Sequence, residues 1–154
     1  MSNSFTIIEK ETEGEDWELI GGALTEYTAT RPNQPPTYAP LNKTFNVVAE
    51  NGENIAGAVI TRNQGMCEVD LLIVKSEERG KGVGATLLSH IEEFAKAHGD
   101  VSVRLSTPTW QGEGFYEKCG YSEMGRVSLW PDAQGKPQHQ ITYYKELGTP
   151  GEPA

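Results

Sequence analysis

Cysteine is scarce in this chain: two residues in 154, Cys67 and Cys119, with no CxxC pair and no Cys/His spacing. That excludes a disulfide scaffold and a zinc ribbon, and it predicts a reduced, cytoplasmic protein. Long apolar runs are absent. The longest aliphatic stretch is "LLIV" at residues 71–74, far short of a bilayer span. The amino-terminal "MSNSFTIIEKETEGEDWEL" has neither a basic start nor an apolar core, so no secretory leader is expected. Basic residues are in deficit: Lys and Arg number 13 against 22 Asp and Glu, a formal charge of −9. Such a surface argues against nucleic acid and anionic membranes as partners, while leaving room for a local basic patch and favouring a cationic substrate.

What is present is globular. Hydrophobic residues make up 36% and charged residues 23%, enough for one domain spanning residues 1–154 with a buried core. Residues 5–10, "FTIIEK", predict a short strand. The acidic "TEGED" then opens a helix carrying Trp17, Leu19, Ile20, Leu24 and Tyr27 at near-helical spacing. Residues 28–42 hold four prolines, which forbids a regular helix or central strand and predicts a loop. "KTFNVVAENGENIAGAVITRN" reads as a hairpin turning at Asn51-Gly52, and "GMCEVDLLIVK" as a central strand. A long amphipathic helix follows, its apolar stripe formed by Ala85, Leu88, Ile91, Phe94 and Ala95 with Val83 and Leu87 at the flank, closed by His98-Gly99. "VSVRLST" predicts a strand, "WQGEGFYEKCG" one short helix, and "YSEMGRVSLWP" and "HQITYYKEL" two last strands joined by "PDAQGKPQ". The end, residues 148–154, predicts a loose tail. A run of antiparallel strands around one strand–helix–strand unit predicts an α/β (α+β) fold: a mixed, mostly antiparallel sheet of about six to seven strands with helices on both faces.

The chemistry-bearing feature is the turn "RGKGVG", where Gly80, Gly82 and Gly84 alternate immediately before the long helix. It does not fit a nucleotide P-loop, which needs GxxxxGK followed by Ser or Thr. It does not fit a dinucleotide turn either, because the spacing is GxGxG and five residues separate it from the strand. It does suit a cradle for a pyrophosphate. Bare N–H groups opening a helix bind anionic oxygens, the helix dipole adds to the attraction, and Arg79 and Lys81 add positive charge.

Two blocks give that cradle a context. Residues 79–84 match the Arg/Gln-x-x-Gly-x-Gly/Ala signature, and "GFYEKCGYSEMG" stands at the right distance downstream. In both, the chain resembles the GNAT superfamily of N-acetyltransferases, from about Thr44 to Leu147. The resemblance implies a single GNAT domain that uses acetyl-coenzyme A as cosubstrate and no metal. It implies that Arg79, Gly80, Lys81, Gly82, Val83 and Gly84 hold the pyrophosphate, with Ala85 and Thr86 continuing the wall. Leu72, Ile73 and Val74 would lie on a strand splayed from its neighbour, where the pantetheine arm pairs with exposed backbone. The N–H near Leu72 would polarise the thioester carbonyl, while the side chains of Leu71 and Ile73 are expected in the core. Phe115 and Lys118 would also meet the coenzyme.

Tyr116 is the implied general acid, protonating the departing thiolate; as a plain residue it is equally an aromatic on a buried helix face. Glu68 and Asp70, on one strand face, are candidate bases for the amine, or else partly solvated strand residues. His139 is a third candidate, and a lone histidine there also suits a structural role. Cys119 suggests a covalent acyl-enzyme, but no histidine is near it in sequence, so direct transfer in a ternary complex is preferred. The sequence departs from the family where many members carry Asn and Ala before the "FY" pair; here stand Thr109 and Gly112. The acceptor is expected to be a small cationic amine, with Trp17, Tyr27, Tyr38, Trp110 and Trp130 either lining its site or sitting in the core. Two alternatives stay open: a non-catalytic acyl-coenzyme A sensor of the same fold, and a transferase for another acyl group. A homodimer through edge strands is compatible with either.

Overall fold

The computed structural model describes residues 6–32 and 40–148. Residue contacts divide the chain into two compact units, residues 1–36 and residues 37–154. In the first, α1 (Gly14–Ala29) begins where Asp16 Oδ2 accepts the Glu13 main-chain N–H at 2.9 Å and Lys10 Nζ pairs with Asp16 at 2.6 Å. Trp17 and Tyr27 lie on this helix. The strand expected at residues 5–10 is not found: residues 6–10 carry no regular structure, because β-rich composition alone cannot hold a strand without a ladder partner. Tyr38, with residues 33–39 of the proline-rich loop, and residues 149–154 of the expected tail lie outside the described residues; residues 28–29 of the expected loop end α1 and 41–42 begin the first strand.

The second unit is built on a six-stranded mixed sheet of order β1-β2-β3-β4-β6-β5. The strands are β1 (Leu41–Val48), β2 (Asn54–Asn63), β3 (Met66–Val74), β4 (Ser102–Pro108), β5 (Ser122–Leu129) and β6 (Gln138–Glu146). Only β3 and β4 run parallel. The β1–β2 hairpin turns through Gly52, as the Asn-Gly signal predicts, and β2–β3 turns through Gln64 and Gly65, both at positive φ. The parallel pair is joined by a 3-10 turn (Ser76–Glu78) and the long helix α2 (Val83–Ala97), the crossover that parallel strands require.

α2 packs on β2, β3 and β4. Its buried stripe is Gly84, Leu87, Leu88, Ile91 and Ala95. Ala85, expected in that stripe, faces solvent, and Leu87 is a full core member; the stripe is rotated by one residue at the helix start because Gly84 takes the close contact there. Beneath it Ile60, Cys67, Val103, Leu105, Ile141 and Tyr143 are sealed from water, the core that holds the sheet and helix together. The segment "WQGEGFYEKCG" forms two single-turn helices, α3 (Thr109–Gly112) and α4 (Phe115–Lys118), rather than one. Gly114, at φ 88°, breaks the helix between them.

Candidate active site

The site is made where β3 and β4 come apart. Their parallel pairing runs from Met66↔Ser102 to Val69↔Leu105 and stops. β3 continues to Val74 beside β2, and β4 continues to Pro108 beside β6. Two local features open the fork. A β-bulge at Asp70 leaves that residue unpaired, since Ile60 faces Val69 and Val59 faces Leu71, and a bulge bends its strand. Pro108 ends β4 without an N–H to offer.

The bulge also resets which way side chains point. Before it, Cys67 and Val69 enter the core. After it, Leu72 and Val74 pack towards the core while Leu71 and Ile73 are 66% and 61% exposed. The expectation that Leu71 and Ile73 are core is thus corrected: the extra residue shifts the period of two by one. The main chain follows the same logic. Lys75 N–H donates to the Ile55 carbonyl on β2 at 3.0 Å, so in an antiparallel ladder Val74 and Leu72 turn their N–H and C=O groups away from β2, into the fork. The Val74 carbonyl confirms this, accepting a 3.0 Å bond from Arg79 Nε.

Across the fork lies the glycine turn. Gly82 caps α2 with φ 83°, and the first helical bond runs from Thr86 N–H to the Gly82 carbonyl at 3.0 Å. The N–H groups of Val83, Gly84 and Ala85 therefore have no partner within the helix. Gly84 serves packing instead: a Cβ there would stand 3.1 Å from Phe115 Cζ and 3.4 Å from Val74 Cγ2. Lys81 Nζ is paired with Glu78 at 2.9 Å.

One cavity of about 870 Å³ joins these parts. Leu72, Ile73 and Val74 form one wall; Arg79, Gly80, Gly82, Val83, Gly84 and Ala85 form the second. Phe115 and Tyr116 close the end with Trp110, Gln111 and Gly112. Lys81 and Thr86 do not line it; they border a separate cavity of about 470 Å³ with Phe45 and His90. Lys118, Glu68 and Asp70 line neither. Gln111 and Glu78 also reach the main cavity, and nothing in their local spacing marks them, because their place depends on the fork. Trp110 is shared with a further hollow of about 530 Å³, lined by Ser128, Leu129 and Trp130.

Tyr116 is 9% exposed. Its ring meets Phe115 edge-on at 5.0 Å and lies tilted against Tyr143 at 5.6 Å. Burial, and to a lesser degree Cys119, push its phenol above the usual tyrosine range. Among the described residues no group hydrogen-bonds its hydroxyl, whereas the Tyr143 hydroxyl donates to Glu117 Oε1 at 2.5 Å.

The candidate bases are engaged to different degrees. Glu68 Oε2 accepts from Arg104 Nη2 at 2.6 Å on the last rungs before the fork. Asp70, on the bulge, has Oδ2 2.7 Å from the Thr61 hydroxyl. His139 lies on β6 opposite Ser128, its main-chain N–H donating to Thr109 Oγ1 at 3.3 Å. Thr109 in turn donates to Gln138 Oε1 at 2.6 Å, fastening α3 to β6. The Cys119 thiol is pushed up by burial first and by Glu92, so it is held protonated, the opposite of an activated nucleophile. Among the described residues, no three His, Cys, Asp or Glu side chains converge where a metal ion could sit.

Comparison with known proteins gives the family and the fold. The family model described as an acetyltransferase (GNAT) domain matches residues 25–128. The chain belongs to that family. It is 31% identical over 83 residues to blasticidin-S acetyltransferase of Streptomyces morookaense, an alignment covering 53% of this chain and 61% of that protein. The fold is similar to that of an acetyltransferase from Bacillus cereus ATCC 14579, with TM-score 0.76 and 26% identity over 92% of this chain and 97% of the other. It also resembles an aminoglycoside 6'-N-acetyltransferase solved with coenzyme A, with TM-score 0.59 and 18% identity over 72% and 76% of the two chains. The six-stranded mixed sheet with flanking helices is the fold the sequence predicts.

Proposed function

We propose that this protein transfers the acetyl group of acetyl-coenzyme A to the primary amine of a small cationic acceptor, by direct attack in a ternary complex. The observation that carries the proposal is the convergence, in one cavity, of an unpaired strand edge, the open start of α2 and an unpartnered tyrosine hydroxyl. The residues fit the coenzyme. The N–H groups of Val83, Gly84 and Ala85 suit its pyrophosphate, and Leu72 and Val74 offer main-chain donors and acceptors to an amide-bearing arm. When bound, the thioester supplies an activated acetyl carbon.

The chain's own groups supply the rest. The Leu72 N–H points into the fork, where a carbonyl oxygen gaining charge needs a donor. Tyr116 gives its proton to the sulfur as the C–S bond breaks, and burial keeps the phenol protonated for that task. The amine proton passes to Asp70, directly or through water, as the C–N bond forms. Glu68 is the less available acceptor, since Arg104 already occupies one of its oxygens. Lys81, Thr86 and Lys118 stay outside the cavity wall; the two lysines act on the coenzyme through charge at most. The hollow between Trp110 and Trp130 suits the acceptor body, because indole faces attract cations. Its coenzyme is a cytoplasmic metabolite, so the proposal places the protein in the cytoplasm.

The test follows free thiol from acetyl-coenzyme A against a panel of amines. Blasticidin S comes first, on account of the relative's name, followed by aminoglycosides, polyamines and amino acids. Thiol release with at least one amine is expected. Coenzyme binding by calorimetry with no release from any amine would make the protein an acyl-coenzyme A sensor. Faster release from propionyl- or succinyl-coenzyme A at fixed amine would reassign the donor.

A further inference from the structure

We infer that Gln138 is a positioning residue for the acceptor: its buried side-chain amide ties α3, which carries Trp110, to the segment just beyond Trp130, and so sets the hollow between the two indoles. The inference rests on the acceptor role proposed for that hollow.

Gln138 begins β6 opposite Leu129, a wall of the hollow, and is 8% exposed. A buried amide needs partners at both ends. Here Oε1 accepts from the Thr109 hydroxyl at 2.6 Å, and Nε2 donates to Asp132 Oδ2 at 3.3 Å. The direction is forced. The Lys136 and Gln134 main-chain N–H groups, both bonded to Oδ1 at 2.9 Å, hold the Asp132 carboxyl below the usual range. A carboxylate only accepts, so the NH2 end of Gln138 faces Asp132 and its oxygen faces Thr109. Thr109 agrees: its oxygen takes the His139 N–H, which leaves its own proton for Gln138.

Each bonded partner stands beside a wall of the hollow. Thr109 precedes Trp110 on α3, and Asp132 follows Trp130 by two residues. α3 has only four residues, too few to hold a helix in place by its own bonds, so an outside bond decides where Trp110 stands. α4 is anchored separately. Gly114, at φ 88°, divides it from α3; Tyr121 N–H donates to the Tyr116 carbonyl at 3.0 Å, and the Tyr143 hydroxyl donates to Glu117. Loss of the Gln138 bonds therefore shifts Trp110 while Tyr116 stays.

The experiment combines Gln138→Met, which keeps the volume and removes both bonds, Thr109→Val, the double variant, and Thr109→Ser as the conservative control. The probe is the amine of the panel above with the highest kcat/KM in the parent. Gln138→Met is expected to raise its KM roughly ten-fold, with kcat and the coenzyme dissociation constant within about three-fold of the parent. Thr109→Val should raise KM in the same direction, and the double variant no further than Gln138→Met, because the bond between the two is already lost. Thr109→Ser should match the parent within about two-fold. Effects of Gln138→Met and Thr109→Val that multiply overturn the inference. So does a fall in kcat or in melting temperature with the amine KM unchanged.

A second readout does not depend on turnover. Fluorine resonances of 5-fluorotryptophan at Trp110 and Trp130 should both move in Gln138→Met and keep their parent positions in Thr109→Ser. An unchanged pair in Gln138→Met overturns the inference. If the parent releases thiol with no amine, the acceptor role of the hollow fails, and the fluorine spectrum still decides whether Gln138 holds its two walls. If Gln138→Met does not fold, Thr109→Val, which leaves the amide bonded to Asp132, should raise the amine KM and move the Trp110 resonance; failure of either also overturns the inference.

Discussion

The two ends of the β3–β4 pair are made by the same two strands and have opposite characters. At the zipped end Cys67, Val69, Val103 and Leu105 are each 5% exposed or less. Its base is clamped by Arg62, whose Nε and Nη2 reach the buried Asp100 carboxylate at 2.6 and 2.9 Å and whose Nη2 also reaches the His98 carbonyl. At the parted end the ladder is gone, two aliphatic side chains face outward, and main-chain groups of Leu72 and Val74 point into a cavity. One bulged residue and one proline separate the two regimes. Stability is concentrated where the strands pair, and ligand-facing backbone is available only because they stop pairing a few residues later.

The sharpest way to break this contrast is at the clamp. Asp100→Ala leaves the partly buried Arg62 guanidinium without its carboxylate and should cost about 3 kcal/mol of unfolding free energy, read by urea denaturation, while the coenzyme affinity of the folded fraction stays unchanged. At the parted end, an amide-to-ester replacement at Leu72 removes a donor that β2 does not use. It should lower kcat roughly 10²- to 10³-fold with the melting temperature nearly preserved; a kcat equal to that of the parent would remove Leu72 from the chemistry.

Tyr116→Phe should reduce kcat by about 10²-fold. In the parent the phenol must be protonated to act, and its folded value lies above the usual one. Activity assigned to it therefore persists through neutral pH and is lost only as pH rises past the ordinary tyrosine range, a limb that the Phe variant should lack. Gly82→Ala forces a side chain into a left-handed conformation at a cost of about 1–2 kcal/mol, so calorimetry should show coenzyme affinity roughly five- to ten-fold weaker. The smallest effect belongs to Cys119→Ala. Its kcat should stay within about two-fold of the parent, and a complete loss would revive the covalent route.

Much of this was legible before any coordinates. The Asn51-Gly52 turn, the long helix after the glycine turn and the individual strands along the chain are local signals, and each names its own element. The glycine turn and the "GFYEKCG" block point to one family, and most of the turn lines the same cavity as Phe115 and Tyr116. Other placements escaped the sequence. The bulge at Asp70 has no residue signature, so the side-chain period of β3 was extended straight through it, and Leu71 and Ile73 were placed inside. Lys81 belongs to the signature and Thr86 follows it, yet both border the separate cavity on the β1 side. Glu68 and Asp70 looked equivalent two residues apart, and only the parallel register with Arg104 distinguishes them.

The sequence by itself determined the family, the strands from residue 41 onward and the identity of the helix whose start is left bare, because these depend on contacts within a few residues. The tertiary structure alone decided where the sheet forks, which carboxylate is already paired and which way Leu71 and Ile73 face. Those depend on what distant segments place beside one another, and a pair such as Glu68 and Arg104 exists only once β3 and β4 lie in register.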